Sequence, residues 1–381
     1  MPRRSLLFCS LILTLFLAGC VINMSPPASA TPPAQPGAVL PAQTNVPNST
    51  SQNSLFSSTL PTTTIPITWS DLNISGKLVY ITAFERNNTP LMEIQALDLG
   101  SGVITTIFQA PQLGWIYTAS VSPDEKQVVL GYSPPTGNQI LYIMPLDGSS
   151  APQPLFAPPT QDDQYLEPVW SPDGKYIYFV HANYALPPED PNQHYPIFEI
   201  YRMAYPDGPL EKIVDKAYWP RLSADSSRLV YTSANPDDGT NKLFIANADG
   251  SNAQEVVLSG PLIPTIIDAP VLMPDGQTIL FSAPVPAQSS APFWLDRLFG
   301  AIVAAAHIIP SEWWSVPAGG GVPTQLTHIQ APGLYASISP DNMHIASFSG
   351  NGVFVMNPDG TGLTNLIKDV GGIPGTVNWI P

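Results

Sequence analysis

The feature that most constrains the fold is a short turn motif that recurs along the chain. Ser-Pro-Asp, or a close variant of it, occurs five times, at intervals of about fifty residues with a longer last interval. Repeats of this length are typical of folds in which each unit packs on its neighbours. The five copies begin at Ser122, Ser171, Ser223, Met273 and Ser339.

A second marker, a glycine turn between two apolar runs, occurs six times. The six glycines are Gly100, Gly148, Gly208, Gly250, Gly319 and Gly360. The C-terminus accounts for the difference between six and five, because residues 377–381 match residues 168–172 and the chain then stops. The sequence therefore predicts six units, one of which is completed by the end of the chain.

Each unit is predicted to form four β-strands. In the second complete unit, an inner strand at 166–170 leads through a Pro-Asp-Gly turn to strands at 176–180, 198–203 and 210–214. Proline presets φ in such a turn and glycine accepts a positive φ. The strands ahead of the first Ser-Pro-Asp lack an inner partner, which the C-terminus supplies. We therefore expect an all-β, six-bladed β-propeller over 77–381, closed by strands from both chain ends.

This pattern resembles the C-terminal propeller of TolB and related Asp-rich propeller repeats. The resemblance covers about 77–381 and implies the same six-bladed fold. TolB-type proteins are soluble and periplasmic, and they carry a small α/β domain before the propeller. In this chain a segment rich in Pro, Ser and Thr takes the place of that domain.

The N-terminus is predicted to be a signal peptide at 1–19. Arg3 and Arg4 precede a short apolar run, and Leu-Ala-Gly-Cys follows at 17–20. The run is short for a transmembrane helix and typical of secretion. The cysteine resembles that of a bacterial lipobox, which implies cleavage before Cys20, lipidation of its thiol and an extracytoplasmic protein anchored in the cell envelope. An ordinary signal followed by a chance cysteine is the alternative.

Residues 20–76 are predicted to form a disordered stalk. No Asp, Glu, Lys or Arg occurs from Cys20 to Ser70, and Pro, Ser and Thr dominate. Such a segment buries too little apolar surface to offset the entropy of ordering.

Composition removes several classes of function. With 14 basic and 29 acidic residues, the net charge is −15, and without a basic stripe the chain lacks the electrostatic footprint of nucleic-acid binding. The cysteines are Cys9 and Cys20, so none remains as a nucleophile or zinc ligand in the propeller. No Gly-x-Ser-x-Gly, His-Glu-x-x-His or Gly-rich phosphate loop occurs. We expect a monomer without catalytic activity or cofactor.

The expected role is binding of an envelope protein or glycan at one face of the propeller. Long loops at 182–196 and 283–311 fall on the face opposite the Ser-Pro-Asp turns, and long loops are often functional. Aromatic and charged residues near the starts of the inner strands suit recognition. The predicted partner-binding residues are Tyr117, Glu167, Tyr218, Trp219, Arg221, Asp268, Tyr335 and Asn378.

An alternative is a Ca²⁺-dependent hydrolase of lactones or esters, with the metal in the central channel. Glu167, Asp268 and Asn378 lie on inner strands of alternating units and offer oxygen ligands for such an ion.

An insertion at about 284–311 carries a predicted helix at 293–309. Ser290 and Pro292 favour a helix start, and Pro310 ends it. The helix is expected to cover the propeller mouth as a lid, to rest in the membrane interface or to dock on a partner.

Overall fold

The computed structural model describes the chain in seven stretches. They are residues 60–86, 89–158, 160–184, 197–234, 241–285, 309–368 and 375–381. The predicted signal peptide at 1–19, Cys20, most of the predicted stalk and nearly all of the predicted helix at 293–309 lie outside the described residues.

The described residues form 25 β-strands. In chain order the first twelve are β1 (Thr62–Thr64), β2 (Lys77–Arg86), β3 (Thr89–Asp98), β4 (Val103–Gln109), β5 (Trp115–Val121), β6 (Gln127–Ser133), β7 (Ile140–Pro145), β8 (Gln153–Pro154), β9 (Asp163–Trp170), β10 (Tyr176–Asn183), β11 (Ile197–Ala204) and β12 (Leu210–Asp215). The others are β13 (Ala217–Leu222), β14 (Arg228–Ala234), β15 (Asn241–Asn247), β16 (Gln254–Glu255), β17 (Asp268–Leu272), β18 (Thr278–Ala283), β19 (Glu312–Pro317), β20 (Thr324–Gln325), β21 (Tyr335–Ile338), β22 (Ile345–Ser349), β23 (Gly352–Met356), β24 (Thr364–Lys368) and β25 (Val377–Ile380).

Helix is nearly absent from these stretches. Ser70–Leu72 forms one 3-10 turn. Within the described parts of the chain, no helix has the length and apolar character that crossing a membrane requires.

The strands are arranged as six antiparallel sheets, the blades of a β-propeller. Blade 1 has the order β1-β4-β3-β2-β25, and blades 2 to 6 each contain four consecutive strands. The inner strands β5, β9, β13, β17, β21 and β25 surround the centre, where neighbouring inner strands contact one another. The six-bladed all-β fold predicted from the repeats is confirmed.

The ring closes through the C-terminal strand, as the repeat count predicts. β25 pairs with β2, and the register joins Ile380 to Lys77 and Val377 to Tyr80. Trp379 is buried, its backbone N–H donates to Ser337 Oγ of blade 6 at 2.9 Å, and its Nε1 donates to the Ser75 carbonyl at 2.9 Å. The last strand therefore joins blade 1 to blade 6.

The core consists of six apolar clusters, one between each pair of neighbouring blades. In the cluster between blades 6 and 1, Leu78 and Tyr80 meet Phe348 and Val355, and the Tyr80 and Phe348 rings stack at 5.7 Å. A single four-stranded sheet leaves both apolar faces exposed, so each blade depends on two neighbours for burial.

The Ser-Pro-Asp turns are held by side-chain hydrogen bonds. In four of the five turns the serine hydroxyl donates to the aspartate two residues later, and the serine oxygen accepts a backbone N–H five residues on. In the fifth turn, where Met273 replaces serine, the Thr278 hydroxyl donates to Asp275 at 2.9 Å. The residue after each aspartate has a positive φ, and in three of the five turns this residue is not glycine. These five residues are Glu125, Gly174, Ser226, Gly276 and Asn342.

The stretch before β2 differs from the prediction. The predicted stalk reaches residue 76, but β1 pairs with β4 as a fifth strand of blade 1. Trp69 is buried, its Nε1 donates to the Leu99 carbonyl at 2.9 Å, and Ile65 and Leu72 pack beside it. These apolar side chains pack into the cluster between blades 6 and 1, and sequence composition does not predict that contact. Residues 60–76 therefore belong to the propeller.

Trp379→Ala is expected to lower the free energy of unfolding by about 3–5 kcal/mol, because it removes a buried indole from the junction that closes the ring. Urea denaturation followed by tryptophan fluorescence measures the change. Leu363→Ala, at a position 36% exposed, is the control. Equal effects of the two substitutions would contradict the proposed role of the closing strand.

The turn aspartates are expected to make the fold acid-labile. The Ser223 hydroxyl and the Ser227 backbone N–H lower the pKa of Asp225 from 3.8 to about 2, and the serine hydroxyl likewise lowers the pKa of Asp124, Asp173 and Asp341. Because the folded pKa lies below the unfolded one, the stabilisation is present above about pH 4 and is lost as the pH falls towards 2.

Thermal midpoints measured between pH 5 and pH 2 test this expectation. Asp225→Asn and Ser223→Ala should each make the dependence on pH shallower than in the wild type. An unchanged slope in both variants would show that the turn does not contribute to acid lability.

Candidate binding site in the central channel

Six equivalent residues of the inner strands form a layer across the central channel. In blades 2 to 6, each residue stands four positions before the first residue of the following Ser-Pro-Asp turn. In blade 1 it stands four positions before Ile380, which corresponds to that first turn residue. All six are buried. We call this layer the septum, and its members, from blade 1 to blade 6, are Thr376, Thr118, Glu167, Trp219, Ala269 and Tyr335.

Contacts within the septum cross the channel. The Tyr335 hydroxyl of blade 6 donates to Glu167 Oε1 of blade 3 at 3.4 Å, and these two blades lie opposite each other in a ring of six. The Trp219 ring meets the Tyr335 ring edge to face, with centroids 5.6 Å apart. The septum therefore divides the channel into an end on the loop side and an end on the turn side.

A repeated backbone irregularity positions three septum residues. Glu167, Trp219 and Ala269 have φ values of +50°, +58° and +44°, and each precedes a proline. The pairing of β9, β13 and β17 with the next strand shifts register at the same place. A bulge of this kind turns a side chain out of the regular alternation, and left-handed residues other than glycine carry strain that often marks functional sites.

The sequence contains a signal for these bulges, the X-Pro dipeptides of three inner strands. A proline cannot donate to a strand ladder, so proline in an inner strand indicates a bulge or an edge. The dipeptides that indicate the three bulges are Glu167-Pro168, Trp219-Pro220 and Ala269-Pro270.

Aromatic donors and buried acids meet in and beside the septum. Trp219 Nε1 donates to Asp268 Oδ1 at 3.2 Å, and Arg221 Nη2 lies 3.9 Å from Glu167 Oε2. Burial, together with the Glu167 carboxylate, raises the pKa of Tyr335 and of Tyr218 well above the ordinary value. Both phenols therefore stay protonated and able to donate to a carboxylate.

The loop-side end carries three tyrosines. Tyr218 is buried, with its ring edge to face on Trp219 at 4.9 Å, whereas Tyr117 is 39% exposed and Tyr184 is 52% exposed. Burial and the neighbouring Tyr184 hydroxyl raise the pKa of Tyr117, and Tyr184 also contributes at Tyr218. The tyrosine cluster is formed by Tyr117, Tyr184 and Tyr218. It combines two partly exposed side chains with one buried side chain.

Tyr184 is a member of the cluster that the repeat pattern does not predict. It follows β10, at the start of a long loop whose residues 185–196 lie outside the described stretches. Tyr184 lies at the start of an inserted loop and not at the start of an inner strand, so equivalent positions in the repeats do not predict it.

The turn-side end is a cup with a volume of about 270 Å³. The septum residues Tyr335 and Thr376 contribute to its lining, and so do the turn residues Pro172, Ala224 and Pro274. The residues two positions before each turn form its main ring. They are Ser120, Val169, Arg221, Val271, Ser337 and Asn378.

Asn378 has a structural role in this ring. Its Oδ1 accepts the Val121 backbone N–H at 3.2 Å, and its Nδ2 donates to the Ala119 carbonyl at 3.1 Å. Thr376 Oγ1 accepts the Ala119 N–H at 2.7 Å. The side chain of Asn378 therefore joins blade 1 to blade 2.

The structure separates the predicted site residues into three groups. Tyr117, Tyr218 and Asp268 stand one position nearer the loop side than the septum. Arg221 and Asn378 line the turn-side cup. Glu167, Trp219 and Tyr335 belong to the septum itself. The predicted set therefore does not form one continuous surface.

The three predicted metal ligands have separate partners. Glu167 faces Tyr335 and Arg221, Asp268 accepts from Trp219, and Asn378 is bonded to blade 2. Among the described residues, no three His, Cys, Asp or Glu side chains are grouped so as to hold a metal ion.

The fold is similar to known structures at low sequence identity. TolB from Acinetobacter baumannii has a TM-score of 0.58 and 17% identity, over 80% of this chain and 67% of that chain. A chain of a nidogen–laminin complex has a TM-score of 0.52 and 10% identity, over 79% of this chain and 97% of that chain. An oligogalacturonate lyase in complex with manganese has a TM-score of 0.48 and 13% identity, over 77% of this chain and 86% of that chain.

Similarity at these identities shows the fold alone. No family model matches the chain, and no curated protein matches it significantly. The TolB-like propeller predicted from the turn repeats is therefore confirmed as a fold, and function has to be argued from the channel.

Tyr335→Phe is expected to lower the free energy of unfolding by about 1–3 kcal/mol, because a buried carboxylate loses a hydroxyl donor. Chemical denaturation at pH 7 measures the loss. Tyr117→Phe, at a residue 39% exposed, should stay within about 0.5 kcal/mol of the wild type. If the two variants lose equal stability, the contact across the channel does not hold the septum together.

Proposed function

We propose that this chain is a lipid-anchored, extracytoplasmic protein of the cell envelope that binds a protein or glycan partner without catalysing a reaction. The partner binds at the loop-side end of the propeller channel. The observation that carries the proposal is the tyrosine cluster, in which Tyr184 interacts electrostatically with Tyr117 and Tyr218. Tyr117 and Tyr184 are partly exposed, and Tyr218 is buried against Trp219 of the septum.

The chemistry of the cluster supports recognition of a partner surface. Tyrosine offers a large rigid ring and a polar tip at low cost in side-chain entropy, and for that reason it is frequent in binding hot spots. A ring face also stacks on a sugar or an apolar side chain, and the phenol donates a hydrogen bond. Because Tyr218 and Trp219 are locked by edge-to-face packing, the base of the cluster is preorganised for binding.

The septum supports a binding role more directly than a transport role. Tyr335, Trp219 and Glu167 fill the channel at one level, so a ligand on the loop side meets a floor. That floor contains the buried carboxylate of Glu167, and the buried carboxylate of Asp268 lies one position nearer the loop side. Both favour partners that donate hydrogen bonds or carry positive charge.

The anchor follows from the lipobox-like sequence that ends at Cys20. Two or more acyl chains hold a protein stably at a membrane where one does not. A net charge of −15 disfavours contact with bare anionic lipid, so the lipid carries the attachment. We expect the propeller to act as a monomer and to leave nucleic acid unbound.

Crosslinking on native membranes, followed by affinity capture of the full chain, tests the binding face. The Tyr117→Ala/Tyr184→Ala double variant should capture at least about ten times less partner than the wild type. Each hot-spot ring contributes on the order of 1 kcal/mol or more to the binding free energy. Met343→Ala, at a residue 63% exposed next to a Ser-Pro-Asp turn, is the matched control on the opposite face. Protease and glycosidase treatment of the captured material distinguishes a protein from a glycan.

Two further measurements separate this proposal from its rivals. Cys20→Ser should move the chain from the membrane to the soluble fraction, and retention at the membrane would overturn the lipid anchor. Calcium titration with an ester-turnover assay addresses the hydrolase alternative. A bound ion with turnover that is lost in Glu167→Gln would replace the binding role with an enzymatic one.

A further inference from the structure

The turn-side cup contains an unusual charge for this protein. The whole chain is strongly acidic, yet among the described residues that line the cup the single charged side chain is a cation, Arg221. The cup lies on the other side of the septum from the tyrosine cluster, so it is a site distinct from the proposed partner surface.

Arg221 is held at the base of the cup. Its side chain is 16% exposed, and its Nη2 lies 3.9 Å from Glu167 Oε2, beyond hydrogen-bond distance. Its Nη1 donates to the carbonyl of Pro220 at 2.9 Å. A guanidinium has five N–H donors in a planar fork that matches a carboxylate, so these two contacts leave donor capacity towards the cup.

The wall of the cup has two halves. Blades 3, 4 and 5 contribute Val169, Leu222, Val271 and Leu272 beside Arg221. Blades 6, 1 and 2 contribute Ser337, Asn378 and Ser120 at the equivalent positions. The apolar half excludes water from the guanidinium, which strengthens a charge-assisted hydrogen bond there.

The polar half of the wall is rigid because its side chains bridge the blades. Ser120 Oγ accepts the Trp170 N–H at 3.0 Å, Ser337 Oγ accepts the Trp379 N–H at 2.9 Å, and Asn378 Oδ1 accepts the Val121 N–H at 3.2 Å. Each serine hydroxyl acts as acceptor in its bond and keeps a hydrogen that can be donated to a ligand.

The dimensions limit the ligand. A cavity of about 270 Å³ lies just below the usual range of small-molecule sites, about 300–1,000 Å³. It therefore suits one amino-acid residue or one monosaccharide. The turn residues Pro172, Ala224, Pro274 and Asn342 line its open end, so the ligand enters from the face opposite the long loops.

We propose that the turn-side cup is a binding site for a carboxylate group, carried by a ligand about the size of one amino acid or one sugar. Arg221 binds the carboxylate through its guanidinium fork, the apolar half of the wall packs against the body of the ligand, and the Ser120 and Ser337 hydroxyls donate to its polar atoms.

Isothermal titration of the detergent-solubilised full chain with two matched pairs of probes tests this site. One pair is N-acetyl-L-valine and N-acetyl-L-valinamide, and the other is D-glucuronate and D-glucose. At least one acid should bind at least about ten times more tightly than its neutral counterpart, as charge-assisted hydrogen bonds predict. The pair that responds identifies whether the carboxylate comes from an amino acid or from a sugar.

Variants of Arg221 complete the test. Arg221→Gln should remove the preference for the acid, and Arg221→Lys, which keeps the charge facing Glu167 but loses the fork, should retain part of it. The lysine variant also serves if the glutamine variant does not fold. Equal binding of acid and neutral probe, no binding of either acid, or an undiminished preference in Arg221→Lys together with Arg221→Gln would overturn the proposal. Tyr117→Ala/Tyr184→Ala should bind the acid as the wild type does, so failure of this site and failure of the loop-side surface are distinguishable.

Discussion

The structure depends on the pairing of β25 with β2. Each blade buries its two apolar faces only against its neighbours, so an open ring would expose two faces and a strand edge. The last strand removes both problems, because Trp379 enters the cluster between blades 6 and 1. It also places Thr376 in the septum and Asn378 in the cup, with both side chains bonded to blade 2. The geometry of the channel is therefore a consequence of ring closure.

The septum is the second organising element, since it turns one channel into two sites of opposite character. On the loop side, the tyrosine cluster lies near the buried carboxylate of Asp268, and the carboxylate of Glu167 belongs to the septum. On the turn side, Arg221 faces a cup with one apolar and one polar wall. The same ion pair, Glu167 with Arg221 at 3.9 Å, links the two sides. The proposed loop-side surface and the proposed carboxylate site therefore share one charged pair.

Much of the fold was predictable because its determinants are local. A serine hydroxyl that bonds an aspartate two residues later is encoded within a few residues, and so is the alternation of the strand that follows. The docking of residues 60–76 was not predictable from composition, because Trp69 is stabilised by Leu99 and by a cluster formed from both ends of the chain. Positive φ at Glu125 and Ser226 was likewise missed, since the turn overrides the preference of those residues for negative φ.

Repeat spacing and turn chemistry in the sequence by themselves determined the number of blades, the position of the inner strands and the contribution of the C-terminus to blade 1. These properties follow from hydrogen bonds and periodicity within short segments. Only the tertiary structure decided which inner-strand residues share a layer across the channel and on which side of the septum each lies. Glu167 and Tyr335 meet at 3.4 Å across 168 positions of the chain, and Tyr184 joins the tyrosine cluster from a loop. Such contacts depend on which blades face each other across the closed ring and on how each side chain is turned at its bulge, and short sequence segments specify neither.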